Sequence, residues 1–83
     1  MKYELTQHAR DVIEERQISI DWLERVLANP VLIEASSTDP ELESRFAKIP
    51  EFCDRVLHVV VNTQVVPERV VSVYFDRKMK GKL

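Results

Sequence analysis

Several things are scarce in this 83-residue chain, and each scarcity excludes a class of function. It has one glycine, Gly81, so no glycine-rich loop is available to cradle a phosphate with backbone N–H groups. Its one cysteine, Cys53, cannot close an internal disulfide, and the arrangement suits a reducing compartment. His8, Cys53 and His58 are scattered and do not fall at metal-ligand spacing, so neither a metal nor another cofactor is expected. The apolar runs are far shorter than the roughly 20 residues that cross a bilayer, and the start has no apolar signal core. A cytoplasmic protein without a membrane partner is therefore expected.

What is present fits one small globular domain, 1–83. Hydrophobic residues make up 45% and charged residues 31%, which excludes wholesale disorder. A chain of this size buries only about 60–65% of its unfolded surface, so its core is small. The net charge of −2 conceals a polarity: residues 1–54 carry 6 Lys/Arg against 12 Asp/Glu, and residues 55–83 carry 6 against 2. The basic tail, 77–83, contains Arg77-Lys-Met-Lys-Gly-Lys82 and either attracts polyanions or is simply a solvated end.

Thr6 is a suitable N-cap for a helix from Gln7 to about Arg16, with Leu5, Ala9, Val12 and Ile13 on one face and Arg16 on the same stripe. Ser19 caps a second helix from Ile20 to about Asn29, ended by Pro30, with Ile20, Leu23, Val26 and Leu27 on its apolar side. Residues 1–30 thus read as a helical hairpin. Residues 31–76 read as an antiparallel sheet that begins with a short strand, Val31 to Ala35. Residues 40–49 admit a short helix started by Asp39-Pro40-Glu41 or a strand, and the strand is preferred because three strands would cover two helices poorly.

The apolar centre is a hairpin of Arg55–Asn62 and Arg69–Asp76, rich in residues that suit a pleated, half-buried surface. Odd-numbered residues Leu57, Val59, Val61, Val71, Val73 and Phe75 are expected under the helices. His58, Ser72, Tyr74 and Asp76 then share the opposite face, provided the register holds. The expected class is α+β in the order ααββββ, with two N-terminal helices packed on an antiparallel sheet.

Arginine is the informative residue, because guanidinium binds phosphate by bidentate hydrogen bonds. Arg16, Arg45, Arg55 and Arg77, with Lys78 and Lys80, are candidate RNA or phosphate ligands, and His58, Tyr74 and Asp76 are candidate proton-transfer groups for a metal-independent ribonuclease. The competing reading pairs the arginines with the acids of the N-terminal part and gives them a purely structural role.

The segments His8-Ala-Arg10, Arg16-Gln-Ile18-Ser19, Val26-Leu-Ala-Asn-Pro30, Arg55-Val-Leu-His-Val-Val-Val61 and Val70-Val-Ser-Val-Tyr-Phe-Asp-Arg77 together resemble a small bacterial family, domain-of-unknown-function family 4258. With Glu43-Ser-Arg45 leading to Ile49-Pro50, the layout is more distantly similar to BrnT toxins, ribonucleases of toxin–antitoxin pairs with a RelE-like fold. That similarity implies that Glu43-Ser-Arg45 lies in a strand and that an antitoxin-like protein or a second copy covers the sheet. Two functions follow as expectations: a toxin-like RNA-interacting protein, or a non-catalytic module that pairs through its sheet. A metal or small-ligand site at His8 and His58 is a third.

Overall fold

The computed structural model describes residues 3–83. The elements are β1 (Tyr3–Leu5), α1 (Gln7–Arg16), α2 (Ile20–Ala28), β2 (Leu32–Ala35), β3 (Leu42–Ile49), β4 (Arg55–Asn62) and β5 (Glu68–Phe75), with one-turn 3₁₀ helices at Pro50–Phe52 and Arg77–Met79. The strands form one sheet in the order β1-β5-β4-β3-β2. Residues 42–49 are a strand, as preferred from the sequence.

The expected order lacked β1, and the sheet is mixed rather than antiparallel. β1 runs parallel to β5, pairing Tyr3 with Glu68 and Leu5 with Val70. Three residues are too few for alternation to register in a sequence pattern. At Thr6 the chain turns from strand to helix: its N–H donates to the Val70 carbonyl at 3.0 Å. The Thr6 hydroxyl donates to the Val71 carbonyl at 3.0 Å and accepts from the Ala9 N–H at 3.1 Å. The N-cap of α1 is thereby fastened to the sheet edge. Beyond this point, Ser72–Phe75 has no strand neighbour on its outer side among the described residues.

Both helices lie on one face, α1 over β5 and α2 over β3 and β4. Ala9, Ile18, Leu23, Val26 and Leu27 pack there on Ala47, Ile49, Leu57, Val59, Val61, Val70 and Val73. One expected core position is corrected, since a bulge between Val60 and Val61 pairs Val60 with Ser72 and Val61 with Val70. The bulge skips Val71 and places Val70 under the helices in its stead. Past the bulge the expected alternation resumes at Val73 and Phe75. Ile20 also differs from expectation, being 41% exposed.

Salt bridges brace the periphery. Arg25 grips Glu51 with both terminal nitrogens, at 2.9 and 2.7 Å, tying α2 to the turn before β4. This bidentate contact holds the Glu51 carboxyl down at about 2. Tyr3 donates to Glu24 at 2.9 Å and so fastens β1 to α2. Burial and this carboxylate push the Tyr3 hydroxyl up to about 12.

Candidate functional site

Where β1 leaves β5, the space between α1 and the free half of β5 is a cleft of about 460 Å³. Its origin is local: the N-cap at Thr6 pins α1 to Val71, and the helix then runs over β5 without a strand filling the gap. His8, Val12, Glu15 and Arg16 line it from α1. Their spacing of four, seven and eight residues places them on one face of a helix. Arg55 at the start of β4, Ser72 and Tyr74 on β5, and Arg77 just beyond it complete the wall. Among the described residues Glu15 is the one carboxylate in the lining.

The structure divides the arginines into two groups. Arg45 points to the helix side of the sheet, where it donates to Glu43 at 2.7 Å, to Glu68 at 3.3 and 3.0 Å and to the Leu27 carbonyl at 3.4 Å. It is a strut and is not brought to the cleft. Arg25 and Arg69 also face carboxylates, Glu51 and Glu4. Among the described residues Arg10, Arg16, Arg55 and Arg77 have no carboxylate partner, and all of these but Arg10 line the cleft. Arg55 instead lies over the Phe52 ring, 4.9 Å from its centre, which fixes the guanidinium without consuming its charge. Lys80 borders a second cavity beside the cleft, and Lys78 lines neither.

His58, Tyr74 and Asp76 share the uncovered face, in the register that the sequence left as a condition. His58 pairs across the sheet with Phe46 on one side and Tyr74 on the other. The ring centres lie 4.2 and 4.6 Å from that of the imidazole, forming a cross-strand row. Its Nδ1 is 3.3 Å from Asp76 Oδ2 and its Nε2 is 2.7 Å from Ser44 Oγ. The carboxylate only accepts, so Nδ1 carries the proton and Nε2 accepts from the Ser44 hydroxyl. Burial pulls the His58 pKa down, against the opposing pull of Asp76 and Glu34, which keeps the ring neutral near pH 7. Both ring nitrogens are thus engaged, and His58 does not line the cleft.

Asp76 connects this network to the basic tail. Its Oδ1 accepts from the Lys78 N–H at 3.0 Å, capping the 3₁₀ turn Arg77–Met79, and its own N–H donates to the Val56 carbonyl at 2.9 Å. The turn is thereby held against the sheet with Arg77 in the cleft wall. Tyr74 is the proton-transfer candidate that reaches the cleft. Burial and the nearby Asp76 carboxylate raise its pKa, so the hydroxyl stays protonated. Among the described residues, no cluster of three His, Cys, Asp or Glu side chains is placed to hold a metal. His8 and His58 serve different surroundings, the cleft and the ring row.

Ser44, Glu15 and the cleft role of His8 were missed from sequence. For α1 a signal existed, since His8, Glu15 and Arg16 recur at helical spacing. For Ser44 it required the β3–β4 register.

Fold and site together define a small α+β domain with a cationic cleft at the edge of its sheet. Over residues 5–75 the chain matches the family described as a domain of unknown function (DUF4258), and it belongs to that family. No curated protein and no solved structure gives a significant match. Among the described residues no helix is long and apolar enough to cross a membrane.

Proposed function

We propose that the protein is a toxin-type RNA-interacting domain, acting in the cytoplasm, which grips a phosphodiester in the α1–β5 cleft and cleaves it without a metal. One observation carries this reading: Arg16, Arg55 and Arg77 border a single cleft and, among the described residues, none of the three is ion-paired with a carboxylate. Guanidinium groups so placed bind the non-bridging oxygens and stabilise the charge that builds on a pentacoordinate phosphorus. The ribose 2′-oxygen attacks the adjacent phosphorus and the bond to the 5′-oxygen breaks, leaving a 2′,3′-cyclic phosphate and a 5′-hydroxyl. His8 and Glu15 are the groups able to take the 2′ proton, and the protonated Tyr74 hydroxyl gives one to the leaving oxygen. His58 and Asp76 position Tyr74 and Arg77 from behind. A BrnT- or RelE-like arrangement is compatible with this assignment.

The test is binding and cleavage of single-stranded RNA in the presence of a chelator. Neutralising the one gripped phosphate gives a slope of about −0.7 in log K against log salt, or roughly a 2.5-fold loss of affinity between about 50 and 200 mM. The triple variant R16Q/R55Q/R77Q should flatten that slope. RNA that stays intact and unbound at low salt refutes the reading; RNA that is bound but uncleaved removes the catalytic half alone.

A second reading has its own observation. The outer edge of β2 has no strand partner among the described residues, and Val31 and Ile33 beside it are 65% and 53% exposed. Such an edge suits strand addition by an antitoxin-like protein or by a second copy.

A further inference from the structure

We propose that the smaller cavity beside the arginine cleft is a nucleobase subsite, so that the ligand is a single-stranded ribonucleotide step with one base seated next to the gripped phosphate. The inference rests on the phosphate-binding reading of the cleft and adds the identity of the neighbouring group. The cavity measures about 250 Å³ and is lined by Arg55, Phe75, Asp76, Arg77 and Lys80. Arg55, Phe75 and Arg77 also line the larger cleft, so the two spaces share a wall. A ligand bound by these arginines in one space is therefore within reach of the other.

The exposed surface of the wall is mostly apolar, and among the described residues Phe75 is the one aromatic residue that lines it. Despite the cations in the lining, little polar surface is exposed in the wall and the Asp76 carboxylate is part of it, so a second phosphate would lose hydration there and meet like charge. The wall suits a flat heterocycle whose faces are apolar and whose polar edges remain free. The volume lies below the roughly 300–1,000 Å³ typical of pockets for larger ligands, which limits the occupant to one such ring system. Phe75 is also fixed in advance. Trp22 meets it edge-on with centres 6.1 Å apart, and Phe52 lies 5.0 Å away. Arg55, itself set over Phe52, offers a guanidinium plane on which a base can also stack. Stacking on aromatic and guanidinium planes beside a cationic track is how single strands are held with little regard to sequence.

The experiment is an NMR titration of the full chain with three probes: the dinucleotide ApA, its doubly abasic counterpart and inorganic phosphate. ApA should bind about tenfold more tightly than the abasic dinucleotide, with the largest shifts at Phe75 and Lys80. In F75L, which keeps apolar bulk but loses the ring, that advantage should fall below about threefold while abasic binding persists. The wild-type comparison stands even if F75L fails to fold. Equal affinity for ApA and the abasic form overturns the base subsite and leaves the phosphate cleft standing. If none of the three probes binds, the cleft reading fails and the subsite with it.

Discussion

Replacing Asp76 with alanine tests how the uncovered face is joined to the basic tail. The substitution removes two bonds: the 3.0 Å cap on the Lys78 N–H and the 3.3 Å contact to His58 Nδ1. Loss of a cap costs about 1 kcal/mol. The second bond lies between side chains only 16% and 11% exposed, so leaving the imidazole N–H without its charged acceptor costs roughly another 1–1.5 kcal/mol. A total near 2 kcal/mol lowers the melting temperature of a domain this size by about 8–15 °C. D76N, which keeps an acceptor but loses the charge, should show about half of that. The deficit must also depend on pH. Burial lowers the folded-state pKa of His58 below its ordinary 6.5, and Asp76 opposes that shift. Between the folded and unfolded values the unfolded chain binds more protons, so stability is lost as pH falls through about 6.5. Without Asp76 the folded value drops further and the window widens. Thermal melts of wild type and D76A, compared at about pH 7.5 and about pH 5.5, should therefore show a larger gap at the lower pH. Taking the difference cancels the carboxylates common to both proteins. Melting points within about 2 °C of each other, or a gap that does not change with pH, would refute the account.

Arg45→Met should lower the urea midpoint by the equivalent of about 1–2 kcal/mol with an unchanged slope, less than a fully buried pair would cost because Glu68 is 41% exposed. RNA affinity should stay at the wild-type level, and a fall in affinity at unchanged stability would show that Arg45 is a ligand rather than a strut. At the β2 edge, Ile33→Lys should abolish any concentration-dependent dimer or co-purifying partner seen by sedimentation, whereas association that survives it would place the interface elsewhere.

The sequence carried the helices and the long strands because their patterns extend over eight to ten residues. Thr6 and Ser19 marked helix starts, and the runs read as Arg55–Asn62 and Arg69–Asp76 form the antiparallel pair Arg55–Asn62 and Glu68–Phe75, whose register the sequence left open. Two features escaped it. β1 is short, and its partner β5 lies more than 60 positions away, so no local signal announces a parallel pair. The bulge skips Val71, whose carbonyl accepts from the Thr6 hydroxyl, again a contact between distant segments. The site divided in the same way. Tyr74, His58 and Asp76 shared a face because parity survives the bulge beyond Ser72. That Arg45 lies under the helices and Arg16 in a cleft depended on which face each strand and helix turned inward.

The two readings of the arginines are both realised, in different residues, and this resolves how a chain of net charge −2 can present a polyanion site. Arg25 holds Glu51, Arg45 holds Glu43 and Glu68, and Arg69 stands 3.7 Å from Glu4. These pairs withdraw acids and bases together from the surface balance. Among the described residues Arg16, Arg55 and Arg77, with Lys80 close by, form no salt bridge and surround two adjoining cavities. Charges farther away than the Debye length of about 8 Å are largely screened at physiological salt, so a ligand entering the cleft responds to these cations rather than to the total. Arg16, Arg55 and Arg77 outnumber the one lining carboxylate, Glu15, in the cleft, and a concave site with an excess of one sign strengthens that local field. The acidic pI of 5.6 therefore describes the whole surface and is no argument against an RNA ligand; the relevant quantity is the pairing of each arginine, which the fold decides.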